Sequence, residues 1–179
     1  SHTVEAAIAK DFDAFVTGRL ATAGIAPDSN AEAALLVGAA LGREFDSEEW
    51  ERACSEAGID ADWTLLERLV LRGVMDTSES GFTFTYTAFY EALLRRLAQH
   101  PDASRVHRAC ALVVKPSGSF VPAVTVERWA YHLLRAEQRE AALDALRRAA
   151  RQHHSRGAYR ASEHALVEAL RILAQLDGH

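Results

Sequence analysis

Three histidines, His153, His154 and His164, fall close together in the carboxy-terminal part of the chain. Three imidazoles are the donor set of a zinc site that keeps one position open for chemistry. The spacing argues against such a site. His153 and His154 are adjacent, so on a helix they point to different faces, and no cysteine or carboxylate at ligand spacing completes a set. They read as exposed or half-buried side chains, and no metal is expected. Cys54 and Cys110 lie far apart without CxxC spacing and read as free thiols in a reducing compartment. The sequence contains no GxxxxGK[ST] phosphate loop, no HExxH and no GxSxG, so it encodes neither a phosphate cradle nor a recognisable nucleophile. The chain is expected to be no enzyme on its own.

With catalysis set aside, composition says what scaffold is available. The 179 residues are 49% hydrophobic and 25% charged, enough for a sizeable core in one or two small domains. Ala, Leu, Glu and Arg dominate, Gly and Pro are sparse, and strand formers concentrate in one short stretch, which predicts a mainly α fold. A net charge of −5 gives no overall attraction to phosphate backbones or anionic lipid. No apolar run approaches the roughly 18 residues of a membrane span, and no signal pattern opens the chain, so a cytoplasmic location is expected. Ser1-His2 reads as a tag remnant, and the chain opens and closes inside helical patterns, as an excised piece of a longer polypeptide would.

The elements follow from periodicity and punctuation. An amphipathic helix over 4–23 turns Ile8, Phe12, Phe15, Val16 and Leu20 inward and is closed by Gly24. Ser29 and Glu32 form a capping-box pattern ahead of the apolar run 33–41. Asp46 or Ser47 caps a helix ending near Gly58. Asp60 caps a third, with Trp63, Leu66, Leu69 and Val70 inward and Gly73 as its stop. Residues 74–76, a polar turn over 77–81 that includes Ser80, and the alternating stretch 82–86 predict the only strands, a small hairpin. Phe82, Phe84 and Tyr86 share one face and are expected to pack on the three helices, with Thr83 and Thr85 toward water. A helix over 88–99 ends at His100-Pro101.

Beyond residue 101 the pattern is helical again, over 103–114, 124–135, 137–154 and 158–176, with a loop at 115–119 that ends on Ser119. In the last two helices Ala149-Ala150, Gly157, Tyr159, Leu166 and Ala169-Leu170 sit at spacings similar to a tetratricopeptide repeat, with Ser162 where a small alanine usually falls. Alanine-rich helical hairpins of other families share such spacings. Leu166, Leu170, Leu173 and Leu176 extend a stripe wider than one preceding helix covers, so they are a candidate interaction surface and a homodimer through this hairpin is expected.

Residues 35–46, 65–73 and 81–86 together resemble the winged-helix segment downstream of the ATPase core in bacterial signal-transduction ATPases with numerous domains (STAND), including the large LuxR-type transcriptional regulators. The resemblance runs from about residue 4 to the end. It implies a linker helix over 1–26, with 1–2 as the tag remnant, a winged-helix domain over 27–100, and a truncated helical-repeat, TPR-like module over 101–179. It also implies regulatory transmission rather than catalysis. ATP or ADP would bind only in an upstream domain absent here, and this chain would hold no cofactor. The implied partners are the nucleotide-binding domain of the same polypeptide and a protein or inducer on the repeats.

The family commonly shows an F-x-F-x-H hairpin leading into an R-E-A helix start; here Phe82-Thr83-Phe84-Thr85-Tyr86 precedes Tyr90-Glu91-Ala92. In relatives that histidine reaches the β-phosphate of ADP, and a phenol at Tyr86 cannot replace an imidazole donor. Tyr86 is therefore either a degenerate nucleotide-sensing position or the third aromatic of the hairpin face. Two other functions compete. One is an adaptor scaffold with no nucleotide switch. The other is a DNA-binding winged helix, but residues 62–72 offer a groove only Asp62, Thr64, Glu67, Arg68 and Arg72, and the wing turn carries Glu79 without a cation, so no direct nucleic-acid contact is expected.

Overall fold

A computed structural model describes residues 14–79, 81–118 and 121–176; Ser1, His2, Ile8, Phe12, Ser80 and Ser119 lie outside the described residues. The protein is mainly helical with one small antiparallel sheet, and it divides into two compact units, Ser1–Val106 and His107–His179.

In the first unit, helix α1 covers 14–22 and buries Val16 and Leu20. Phe15, expected inward, is exposed, because the buried stripe follows the four-residue spacing of Val16 and Leu20. Gly24 at φ 74° lets Ile25 N–H return to the Leu20 carbonyl at 2.8 Å. Helix α2 (Asn30–Leu41) starts at Ser29, whose Oγ accepts from Glu32 N–H at 3.2 Å. The other half of the capping box is diverted: Glu32 Oε2 accepts from Asp28 N–H at 2.6 Å, and Oε1 lies 2.6 Å from Arg96 Nε. No N–H is aligned on that buried Oε1, so the Arg96 contact is one of opposite charge rather than a directed hydrogen bond. From Ala34 to Leu41 every residue of α2 is buried, which makes it the central helix of this unit.

Strand β1 (Glu44–Asp46) follows, then α3 (Ser47–Glu56), α4 (Trp63–Leu71), β2 (Met75–Thr77), β3 (Gly81–Phe84) and α5 (Thr87–Gln99). Asp46 caps α3, its Oδ1 accepting from Glu48 and Glu49 N–H at 2.9 and 3.0 Å. The cap of α4 is Asp62 rather than the expected Asp60; Asp62 Oδ1 accepts from Thr64 N–H and Oγ–H. Asp60 is instead held through its backbone, which exchanges two hydrogen bonds with the Asn30 side chain. On α4 the core takes Leu65, Leu66 and Leu69, while Val70 is half-buried and Trp63, 40% exposed, sets its ring edge-on to Trp50 and 6.4 Å from Phe82.

The sheet has three strands in the order β1-β3-β2, one more than the predicted hairpin. Glu44 pairs with Thr83 and Asp46 with Gly81 on one side; Met75 pairs with Phe84 and Thr77 with Phe82 on the other. Three residues are too few to show alternation, and β1 is a strand because β3 offers it an edge. Of the three aromatics assigned to one face, Phe84 is fully buried, Phe82 is half-buried, and Tyr86 lies past the end of β3 in solvent. Thr85 faces water as expected, but Thr83, between two neighbouring strands, is partly covered.

The division between units falls within α6 (Ala103–Val113). The second unit continues with α7 (Ala123–Arg135), α8 (Arg139–Ser155) and α9 (Tyr159–Leu176), in which α8 packs on both α7 and α9. Its core includes Val126, Ala130 and Leu133 of α7, Ala142, Ala145 and Ala149 of α8, and Ala169 and Ile172 of α9. Alanine at so many contact positions lets the helix backbones come close. Gly157, at φ 75°, turns α8 into α9, with Ala158 N–H returning to the His153 carbonyl at 2.9 Å. Among the described residues no helix is long and apolar enough to cross a membrane.

Because Phe84 is enclosed and Phe82 only half so, Phe84→Ala is expected to cost about 3–5 kcal/mol in denaturant melts, Phe82→Ala less, and Thr83→Ala under about 1 kcal/mol. Equal losses at Phe84 and Thr83 would contradict the assigned faces.

Candidate functional site

Tyr86 occupies the N-cap position of α5 and makes no side-chain cap hydrogen bond. It is 49% exposed, with the Arg19 guanidinium 5.9 Å from its ring centroid; the same guanidinium lies 5.4 Å from the Phe15 ring. The reading of Tyr86 as a third packed aromatic is thereby corrected. The strand ends two residues earlier, and starting α5 swings the backbone away from the pleat that would have carried the ring inward.

The three histidines are drawn to separate partners. His153 Nε2 lies 3.1 Å from Glu127 Oε1, the His154 ring meets Tyr159 edge-on at 5.3 Å, and His164 lines a groove on α9. Among the described residues no three His, Cys, Asp or Glu side chains are grouped to hold a metal ion. Cys54 is fully buried in the first unit, and burial first, then Asp60 and Glu51, pushes its thiol up to about 12. A thiol that protonated is no nucleophile at neutral pH.

Sequence reasoning missed the most perturbed pair. His107 of α6 and His132 of α7 place their Nδ1 atoms 3.1 Å apart, with both rings buried and the Tyr131 ring edge-on to each. Burial, then the Arg135 charge, lowers His107 to about 4; burial, then His107 and Arg128, lowers His132 to about 3. Both rings are therefore neutral at pH 7, one donating to the other, and His132 Nε2 is left without a partner. The only signal in the sequence was polar imidazole beside apolar positions such as Val106, Cys110 and Leu133.

The stripe proposed on α9 splits. Leu166 and Leu170 are 46% and 63% exposed, whereas Leu173 and Leu176 are partly buried against the core of the second unit. The reason is the four-residue rows of a helix. Ser162, Ala165, Ala169 and Ile172 face α8, so Leu173 and Leu176 fall beside that row and Leu166 and Leu170 opposite solvent.

Two grooves flank α9. The first, of about 370 Å³, has an apolar floor of Ala130, Leu134, Leu146 and Ala165 and a polar edge of Glu127, Tyr131, His164 and Glu168. The second, of about 420 Å³, lies between α8 and α9 and carries Arg147, Arg151 and His154 beside Ser162 and Leu166. In the first unit a polar recess of about 440 Å³ includes Asp28, Glu32, His100, Asp102 and Arg105. Glu32 lies 2.6 Å from Arg96, and Asp102 pairs with Arg105 at 2.9 Å. No protein-family model, curated protein or solved structure matches the chain.

The histidine pair makes stability pH-dependent. An unfolded histidine takes a proton near 6.5, whereas these remain neutral in the fold until about pH 4 and 3, so their contribution is present above 6.5 and lost as pH falls. Each is expected to remove up to about 1.4 kcal/mol per pH unit across that window. Melts of His107→Leu/His132→Leu should show a flatter acid limb than the parent. Identical limbs would place the acid sensitivity elsewhere.

Proposed function

We propose that the chain is a regulatory interaction segment of a multidomain switch, with a winged helix in its first unit and a TPR-like module in its second. The observation that carries the reading is the β1–β3 pairing. It joins a strand lying between α2 and α3 to the hairpin after α4, and three helices with such a sheet are the arrangement expected of a winged helix. The second unit supports the repeat reading by its seam of small residues, where Ser162 Oγ–H donates to the Ala150 carbonyl at 3.0 Å, and by the solvent-facing leucines of α9. In this reading the winged helix docks on a nucleotide-binding core in the resting state. A partner or inducer on the helical module pulls it away, which makes the pair a two-state element biased at two sites, working in the cytoplasm.

The alternative of a DNA-reading winged helix is opposed by charge. The outer face of α4 presents Thr64, Glu67, Arg68, Leu71 and Arg72, and the turn before β3 presents Glu79. A groove reader needs a more basic helix and wing than this. The adaptor alternative differs only in lacking the switch.

The deciding experiment is to sequence the reading frame upstream of Ser1 and assay nucleotide in the full-length polypeptide. A phosphate-binding loop upstream, with more ADP retained when Tyr86→His restores the imidazole, supports the switch; no such loop sinks it and leaves the adaptor. By itself the chain is expected to show no calorimetric binding of ATP or ADP at micromolar level, and only weak, salt-labile, sequence-independent retention of duplex DNA.

A further inference from the structure

The groove between α8 and α9 has one lip of cations and one of hydrocarbon. Arg147, Arg151 and His154 stand at i, i+4 and i+7 of α8, which places them in one row along its surface. All three are exposed, and among the described residues neither Arg147 nor Arg151 has a carboxylate partner. Two acidic residues are near in sequence, Asp144 one turn before Arg147 and Glu163 beside Ser162, and neither forms an ion pair with the row. On a chain with net charge −5, two unpaired arginines beside a histidine form a local reversal of sign.

The other lip is Leu166, with Leu170 continuing one turn along α9. The floor between the lips is the close seam at Ala150 and Ser162, and the Ser162 hydroxyl is already committed to the Ala150 carbonyl. Recognition therefore falls to the arginines, whose planar forks suit carboxylates, and to the leucines, which gain by leaving water.

We propose that this groove docks an acidic, leucine-bearing amphipathic helix of a partner protein. Glutamates or aspartates on one side of such a helix meet Arg147 and Arg151, and its apolar side covers Leu166 and Leu170. The row runs along α8, and a helix laid beside it can offer acidic side chains at its own i, i+4 and i+7 positions. A nucleic acid fits less well, because its phosphates would satisfy the arginines while leaving both leucines against a charged backbone. The inference deepens the proposed partner site of the second unit and rests on reading that unit as an interaction module.

The probe is a fluorescein-labelled synthetic peptide of about 16 residues, with Leu at helical spacing and Glu elsewhere, titrated into the full chain and read by anisotropy. The expected result is saturable binding that weakens with salt, weakens at least tenfold in Arg147→Glu/Arg151→Glu, partly recovers in Arg147→Lys/Arg151→Lys, and weakens in Leu166→Ser. The exposed pair Arg52→Glu/Arg72→Glu in the first unit makes the same charge change and should leave the affinity within about twofold. Equal weakening in both charge-reversal variants overturns the proposal, as does a peptide with Lys in place of Glu binding equally well. Tighter binding of duplex DNA that depends on Arg147 and Arg151 would assign the groove to nucleic acid. Sedimentation showing a dimer that Leu166→Ser dissolves would assign it to a second copy. Absence of peptide binding overturns this inference while an upstream phosphate loop would still support the switch; peptide binding without that loop does the reverse.

Discussion

Phe45 is the residue on which the first unit closes. Its ring is buried against Gly38 of α2, where a Cβ would come within 3.0 Å of it, and against Phe82 and Phe84 of β3 at centroid distances of 6.1 and 5.8 Å. The approach is possible only because Gly81 is opposite Asp46. A Cβ there would sit 2.1 Å from the Phe45 carbonyl oxygen, a clash with backbone that no rotamer relieves. Two glycines and one phenylalanine thus tie the central helix to the sheet, and Trp50 extends the tie by donating its Nε1–H to the Ala34 carbonyl at 2.8 Å. With α2 buried along most of its length, the exposed side chains of this unit come from its other elements.

The second unit closes on small side chains instead of aromatic ones. Ala149, Ala150, Ala165 and Ala169 let α8 and α9 pack closely, and the same economy of volume leaves their longer neighbours outside. Leu166 and Leu170 are exposed because the rows inward of them are occupied by alanine and serine. The neutral His107–His132 pair joins α6 to α7 through one hydrogen bond in a buried place, which is tolerable only while both rings stay uncharged. Core and surface in this unit are therefore two results of one choice of residue size.

Sequence by itself determined the helices and their stops. Ser29 before α2, Asp46 before α3, and Gly24, Gly73 and Gly157 at helix ends act through hydrogen bonds and backbone angles within a few residues, so their effect is legible without knowing the fold. The hairpin of β2 and β3 was legible for the same local reason. Tertiary structure alone decided the rest. It made a strand of residues 44–46, because pairing needs a partner edge nearly forty residues away. It chose Asp62 over Asp60 as a cap, since Asn30 had claimed the Asp60 backbone. It brought His107 to His132 and turned Tyr86 and Leu170 outward while half-covering Leu173 and Leu176. Periodicity names the face of a helix, but how wide a strip of that face is covered depends on the neighbouring helix, and that neighbour is set by packing across the chain.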